Sequence, residues 1–465
     1  MTISMRIALA LVAVLLIIGA SLALVWRPAI ETIDPPARQS FDPELVKRGR
    51  QLAAIGNCTD CHTVRGGEQL AGGMPVRTPF GTVYSTNITP DPETGIGHWS
   101  EAAFRRAMNS GVDRAGQHLY PTFPYDHFTH VTNQDDGALY AYLMTRRPVH
   151  APARQNQLSF PFDQRPLIAA WKLLYLRHDE VRPDSSKNSE WNRGAYLVEG
   201  LAHCGACHTP RNAFGAERKE AAFGGGEADN WLAYAINVQS PAPVPWTEQA
   251  LFTYLRRGWH PDHGVARGPM AQVVSNLSPV DADDVRAIAT YVAGLFGSPA
   301  SDRIRSAEAV RTEANKAPTA APQTSASIFA PNAVSPATNT GAAIYAAACA
   351  SCHETSRPLP YAGLNLHLST AISAPDPRNA ANTILYGLPA LDDERSPIMP
   401  GFAPSMTDAQ VGALLIYLRA HFGHEPAWSK VEQTVAQARQ AQAAFLQTSA
   451  DPPNIATEPL PRDKP

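Results

Sequence analysis

The chain has 465 residues, room for about three domains of ordinary size. A formal net charge of −3 and a pI near 6.6 leave no electrostatic footprint for a nucleic-acid partner. Only 17% of residues are charged and 41 are proline, which predicts modest helices joined by long loops.

Residues 7–26 form an unbroken apolar run between Arg6 and Arg27, long enough to cross a bilayer as a helix. A cleaved signal peptide is the competing reading, with Ser21-Leu22-Ala23 as its small-x-small site, but the run continues to Trp26 and favours an uncleaved anchor. A first unit, residues 40–150, opens with Lys47-Arg48-Gly49 and carries Cys58-Thr59-Asp60-Cys61-His62. Residues 78–99 read as a turn-rich loop. Thr132-x-x-Asp135 then resembles a capping box, with Tyr142 on the helix it opens. The connector, residues 151–185, contains a helical period from Arg165 to Arg177.

A second unit, residues 186–297, repeats the order: Asn192-Arg193-Gly194, Cys204-Gly205-Ala206-Cys207-His208, Asp281-x-x-Asp284 and Tyr291. Residues 298–338, rich in Ala, Pro, Ser and Thr, read as a flexible linker. A third unit, residues 339–424, has Thr340-Gly341, Cys349-Ala350-Ser351-Cys352-His353, Thr407-x-x-Gln410 and Tyr417. Residues 425–465 read as a surface helix over 428–447 and a disordered tail. The matching offsets describe one small fold used three times.

All six cysteines belong to the three Cys-x-x-Cys-His motifs. This pattern attaches c-type haem: two thiols add to the vinyl groups and the adjacent histidine binds the iron. A zinc site would need a second ligand pair, disulfides would not explain the histidines, and a thioredoxin-like pair would need a βαβ setting. The sequence therefore predicts three covalently bound c-type haems, held by Cys58, Cys61, Cys204, Cys207, Cys349 and Cys352, with His62, His208 and His353 as proximal ligands. Such attachment takes place outside the bacterial cytoplasm. The expected location is the bacterial inner membrane, with a single N-terminal span and the haem domains in the periplasm.

A helix bearing the motif and a capped helix crossing it describe the cytochrome c fold. The expected class is all-α: three tandem cytochrome c-like domains with long loops, preceded by one N-terminal transmembrane helix. The loop between those helices must supply the sixth ligand, and Met270 and Met399, each beside proline ahead of a cap, are the candidates. A lone methionine filling a core gap is the bland alternative. In the first unit Phe123 stands at that place and cannot ligate iron. His127 is the candidate there, with His118 and His130 nearby; Met108 and Met144 read as helix core. An open, five-coordinate iron is the other possibility.

The chain resembles the membrane-bound dehydrogenase cytochrome c subunits, a family of three-haem proteins, over most of residues 45 to 420. Thr78-Pro79-Phe80-Gly81-Thr82, Asn87-Ile88-Thr89-Pro90-Asp91, Gly95-Ile96-Gly97, Leu119-Tyr120-Pro121 and Cys207-His208-Thr209-Pro210-Arg211-Asn212 carry the match. The resemblance implies electron transfer from a catalytic dehydrogenase subunit to ubiquinone or a terminal oxidase at the membrane. The phrase from Tyr120 to Phe128, with Phe123 where the alcohol dehydrogenase branch has methionine, is similar to the branch associated with molybdenum hydroxylases. That implies a partner with molybdopterin and iron–sulfur subunits; a pyrroloquinoline quinone (PQQ) subunit is the alternative. Organic chemistry is expected on another chain. A haem enzyme or gas-binding protein with an open first haem is the reading from a different class.

Overall fold

A computed structural model of the chain describes residue 5 and residues 25–178, 182–316, 336–354, 359, 362–389 and 396–450. Its organising contact is a helix crossing that occurs three times. Helix Pro43–Ile55 starts where Asp42 accepts a hydrogen bond from the Glu44 amide and proline takes the first helical position. It crosses helix Asn133–Met144 at Gly49, where an added Cβ would overlap the Ala138 carbonyl and the Tyr142 Cβ. Gly194 of helix Ser189–Tyr196 meets Ala287 and Tyr291 of helix Ala282–Phe296 in the same way. Gly341 of helix Pro336–Ala348 meets Ala413 and Tyr417 of helix Asp408–Phe422. Only a residue without a side chain lets the backbones approach this closely.

The first two units share one core, in which Leu52, Ile55 and Leu139 of the first join Val198, Leu201 and Ile288 of the second. They are also joined by ions. Arg48 lies 3.4 Å from Asp135 of its own unit and 3.2 Å from Asp284 of the other. Arg193 lies 2.8 Å from Asp284 and 3.8 Å from Asp135. The two arginines precede the two crossing glycines, and the two aspartates occupy the third position of the two partner helices, so the quartet has pseudo-two-fold symmetry. In the third unit the matching residues are Thr340 and Gln410, which can form no such pairs. That unit has a separate core around Leu385, Val411, Leu414, Leu415 and Val435. It docks on the second unit through Asn379, which donates to the Leu232 carbonyl and accepts from the Leu232 amide, both at 2.9 Å.

Several expectations need correction. The class is not all-α: Pro75–Thr78 and Gly81–Tyr84 pair with Gln157–Leu158 in a three-stranded antiparallel sheet, and two further hairpins join Gly226–Ala228 to Trp231–Ala233 and Trp259–His260 to Gly264–Val265. The loop expected over 78–99 therefore begins inside a sheet. The N-terminal transmembrane helix, and the inner-membrane location drawn from it, are not supported. Among the described residues no helix is long and apolar enough to cross a membrane, and residues 7–24 of the expected span lie outside them.

Within the stretch read as a linker, residues 301–314 form helix Ser301–Ala314, which buries Ala307 and Val310 against Val244 and Leu368; residues 317–335 lie outside the described residues. Of the three capping boxes only Thr407 with Gln410 is complete. Thr132 caps its helix one way, while Asp281 is taken up by Gln51 of the first unit, because the aspartates at the third position turn to arginine instead. The helix expected over 428–447 runs Val431–Ala450 and buries Val431, Val435 and Ala438. The tail, residues 451–465, lies outside the described residues.

Candidate haem-binding sites

Each Cys-x-x-Cys-His motif forms a short helix: Cys58–His62, Gly205–His208 and Ala350–His353. Asn57 and His203, the residues before the first cysteines of the first two motifs, are both left-handed, with φ of 52° and 39°. The three histidines are held alike. The Nδ1 of His62 lies 2.7 Å from the Thr86 carbonyl, that of His208 2.6 Å from the Tyr234 carbonyl and that of His353 2.9 Å from the Leu364 carbonyl. A carbonyl can only accept, so Nδ1 carries the hydrogen and Nε2 keeps its lone pair. Desolvation lowers the pKa of each ring by more than its backbone hydrogen bond raises it, so the imidazoles are neutral. A neutral imidazole anchored through Nδ1 with Nε2 free is what an axial iron ligand requires.

No disulfide joins the six cysteines. Burial, reinforced by nearby thiols and carboxylates, pushes Cys58 and Cys204 up to about 12 and Cys349 to about 11. Thiolate chemistry of the thioredoxin or zinc kind needs the opposite shift. Cys207 contributes to the shift at Cys61, which puts the first two motifs within electrostatic reach of each other. In the second unit the buried Nε1 of Trp259, Nε of Arg267 and hydroxyl of Tyr234 have no protein partner. Orphaned donors in the unit that carries the second motif fit a group with carboxylate acceptors, as haem has in its propionates.

Two family models match the chain: Cytochrome c over residues 46–147, and Cytochrome C oxidase, cbb3-type, subunit III over residues 336–418. The chain is 43% identical over 421 residues to a nicotinate dehydrogenase subunit of Pseudomonas putida, a match covering 90% of this chain and 34% of that protein. The chain thus spans about a third of that relative's length. It is 36% identical over 410 residues to the fructose dehydrogenase cytochrome subunit of Gluconobacter japonicus, covering 84% of this chain and 82% of that one. With the cytochrome c subunit of alcohol dehydrogenase (quinone) from Gluconobacter oxydans it shares 31% over 407 residues, covering 83% and 80%. The chain belongs to the family of dehydrogenase cytochrome c subunits. It is an electron-transfer cytochrome subunit with covalently bound c-type haem.

Of the expected distal ligands of this cytochrome subunit, Met399 lies in a loop bridged to Leu388 and packs against the third core. Met270 is in the first turn of helix Pro269–Leu277, after Gly268 with φ of 58°, and not in a loop; it packs against the shared core. Phe123 packs edge-on against Phe128, with ring centroids 5.2 Å apart. His127 is 5% exposed, and both its ring nitrogens have protein partners: Nδ1 lies 2.7 Å from the Glu199 carbonyl and Nε2 2.7 Å from Glu217 Oε1. His118 is similarly engaged, with the Val25 carbonyl and the Lys172 ammonium. Met108 and Met144 are core residues on helices. Sequence reasoning missed the carbonyls of Thr86, Tyr234 and Leu364, which have no side-chain signature, and Glu217, which only folding brings to His127.

Proposed function

We propose that this subunit carries three haems, one on each motif, and passes electrons from a molybdenum hydroxylase-type dehydrogenase to ubiquinone or another respiratory acceptor. The carrying observation is the threefold repetition of one arrangement: two unpaired thiols and a histidine anchored through Nδ1. When bound, the haems supply one-electron redox chemistry. The chain's residues hold them in sequence: His62, His208 and His353 on the proximal side, Met270 and Met399 on the distal side of the second and third. Support for the partner class comes from the Phe123 phrase and from the 43% identity to a nicotinate dehydrogenase subunit, against 31% to a quinone alcohol dehydrogenase subunit.

Mature protein is expected to show three haem additions by intact mass, and the purified complex to contain molybdenum and iron–sulfur clusters. Two additions would overturn the haem count; PQQ without molybdenum would overturn the partner class. For the distal ligands, Met399→Ala is expected to abolish one thioether–iron absorption band and lower one midpoint potential, as Met270→Ala should for another haem. Unchanged redox titrations in both variants would refute the assignment. A second reading, an open first haem that binds a small ligand, is favoured by one observation: Phe123 cannot ligate, and the ring nitrogens of His118 and His127 are occupied. Carbon monoxide binding to one reduced haem in three would establish it.

A further inference from the structure

We propose that His127, supplied by the first unit, is a positioning residue for the haem-attachment motif of the second. The inference rests on the second motif's carrying haem. His127 lies in the short helix Tyr125–Phe128, and its side chain reaches across the junction to the second unit. It touches the second unit before, within and after Cys204–His208. Ahead of the motif it bonds the Glu199 carbonyl, and beyond the motif it bonds Glu217, each at 2.7 Å. Within the motif its Cε1 lies against Gly205, where a Cβ would come within 2.9 Å. Glycine between the two cysteines is therefore the residue that admits this ring.

Both partners are fixed on the second unit's side. Tyr291, from the helix that crosses at Gly194, donates to the Glu199 carboxylate at 2.5 Å. Arg211 lies 4.0 Å from Glu217 and donates to the Ala206 carbonyl inside the motif at 2.8 Å. The His127–Glu217 pair is 7% exposed on each side. Burial opposes a charged imidazole, but the hydrogen bond and charge of Glu217 outweigh it and hold His127 above its ordinary value. Burial likewise opposes the carboxylate, and His127 with Arg211 and Lys219 holds it below the usual range. The second unit returns the support: Asn276 donates to Asn57 and to Asp60 inside the first motif, both at 3.0 Å. Each unit braces the other's motif.

The test compares His127→Ala, His127→Gln and His127→Ala with Glu217→Gln in the mature protein, reading haem mass, spin state and midpoint potential for each haem. The second haem is identified as the one whose methionine signal vanishes in Met270→Ala. His127→Ala leaves the negative charge of Glu217 beside the second motif with only Arg211 and Lys219 against it, so the second haem's potential is expected to fall and its low-spin fraction to drop, with the first haem unchanged. Adding Glu217→Gln removes that charge and should bring the potential back toward the parent value. Glutamine at 127 keeps a donor and most of the volume but not the charge, so the potential falls while the haem stays attached. This variant preserves the measurement if alanine disrupts folding. A first haem turned high-spin with the second unaltered would make His127 a ligand and overturn the proposal, as would three unchanged potentials with all three haems attached. Fewer than three haems in the unsubstituted protein would instead defeat the haem count on which the inference rests.

Discussion

Gly194→Ala is expected to separate the two principal helices of the second unit. The new methyl group would overlap the Ala287 carbonyl and the Tyr291 Cβ, and a backbone carbonyl within a helix cannot rotate aside as a side chain can. Relief requires the helices to move apart, opening the core around Val198, Leu201 and Ile288. Overpacking ordinarily costs about 1–3 kcal/mol, and a backbone clash at a helix crossing belongs at or above the top of that range. The expected result is a melting transition lowered by about 10 °C or more, with the second haem lost or high-spin. Gly412→Ala is the control: its new atom would meet Glu432 at no closer than 3.7 Å, so its transition should match the parent's. Equal melting of Gly194→Ala and Gly412→Ala would show that the crossing does not hold the unit together.

A second large effect should come from a residue with no part in haem binding. Asp136 is fully buried on the helix that crosses at Gly49. One carboxylate oxygen accepts from Asn109 at 2.9 Å and the other has no partner. Burial, with smaller contributions from Asp135 and Glu101, raises its pKa to about 7 against Asn109 and Arg105, which act to lower it. A carboxyl whose folded pKa exceeds its unfolded value of about 4 binds a proton on folding. Its contribution is fully present below about pH 4 and is lost as pH rises through about 7. Three pH units correspond to about 4 kcal/mol, an upper bound for one group. Asp136→Asn removes the dependence, so the variant should gain over the parent at pH 8 by about 2–4 kcal/mol more than at pH 4, measured by denaturant unfolding. The same difference at both pH values would mean that Asp136 is ionised in the fold.

What could be read from the sequence was what local chemistry dictates. Haem attachment needs its cysteines and histidine side by side in the chain, so the three motifs are contiguous and visible. The crossing glycines were visible because each stands eight to ten residues before a motif, and their tyrosines because each stands ten residues after a cap position. The hairpins were not, since strands of two to four residues are too short to show an alternating pattern. His127 illustrates the boundary. A histidine near the place where methionine was missing reads as a ligand in the sequence, and its bonds to residues 72 and 90 positions away in another unit could be seen only in the fold. Helix Ser301–Ala314 was hidden for a related reason: it buries only Ala307 and Val310, a stripe too thin to rise above an alanine-rich background.

The quartet of Arg48, Asp135, Arg193 and Asp284 gives the first two units the interface of a symmetric homodimer written into one chain. A true homodimer would impose identical surroundings on both of its redox centres, since every substitution would appear twice. Two identical centres have equal potentials and give electrons no preferred direction. Covalent duplication keeps the interface while freeing the halves to diverge, and they have done so: Phe123 stands ahead of the crossing helix in one half, and Met270 ahead of its counterpart in the other. With a haem on each half, as proposed, the symmetric seam would fix the distance between them, and the broken symmetry around it would set the slope down which charge can run.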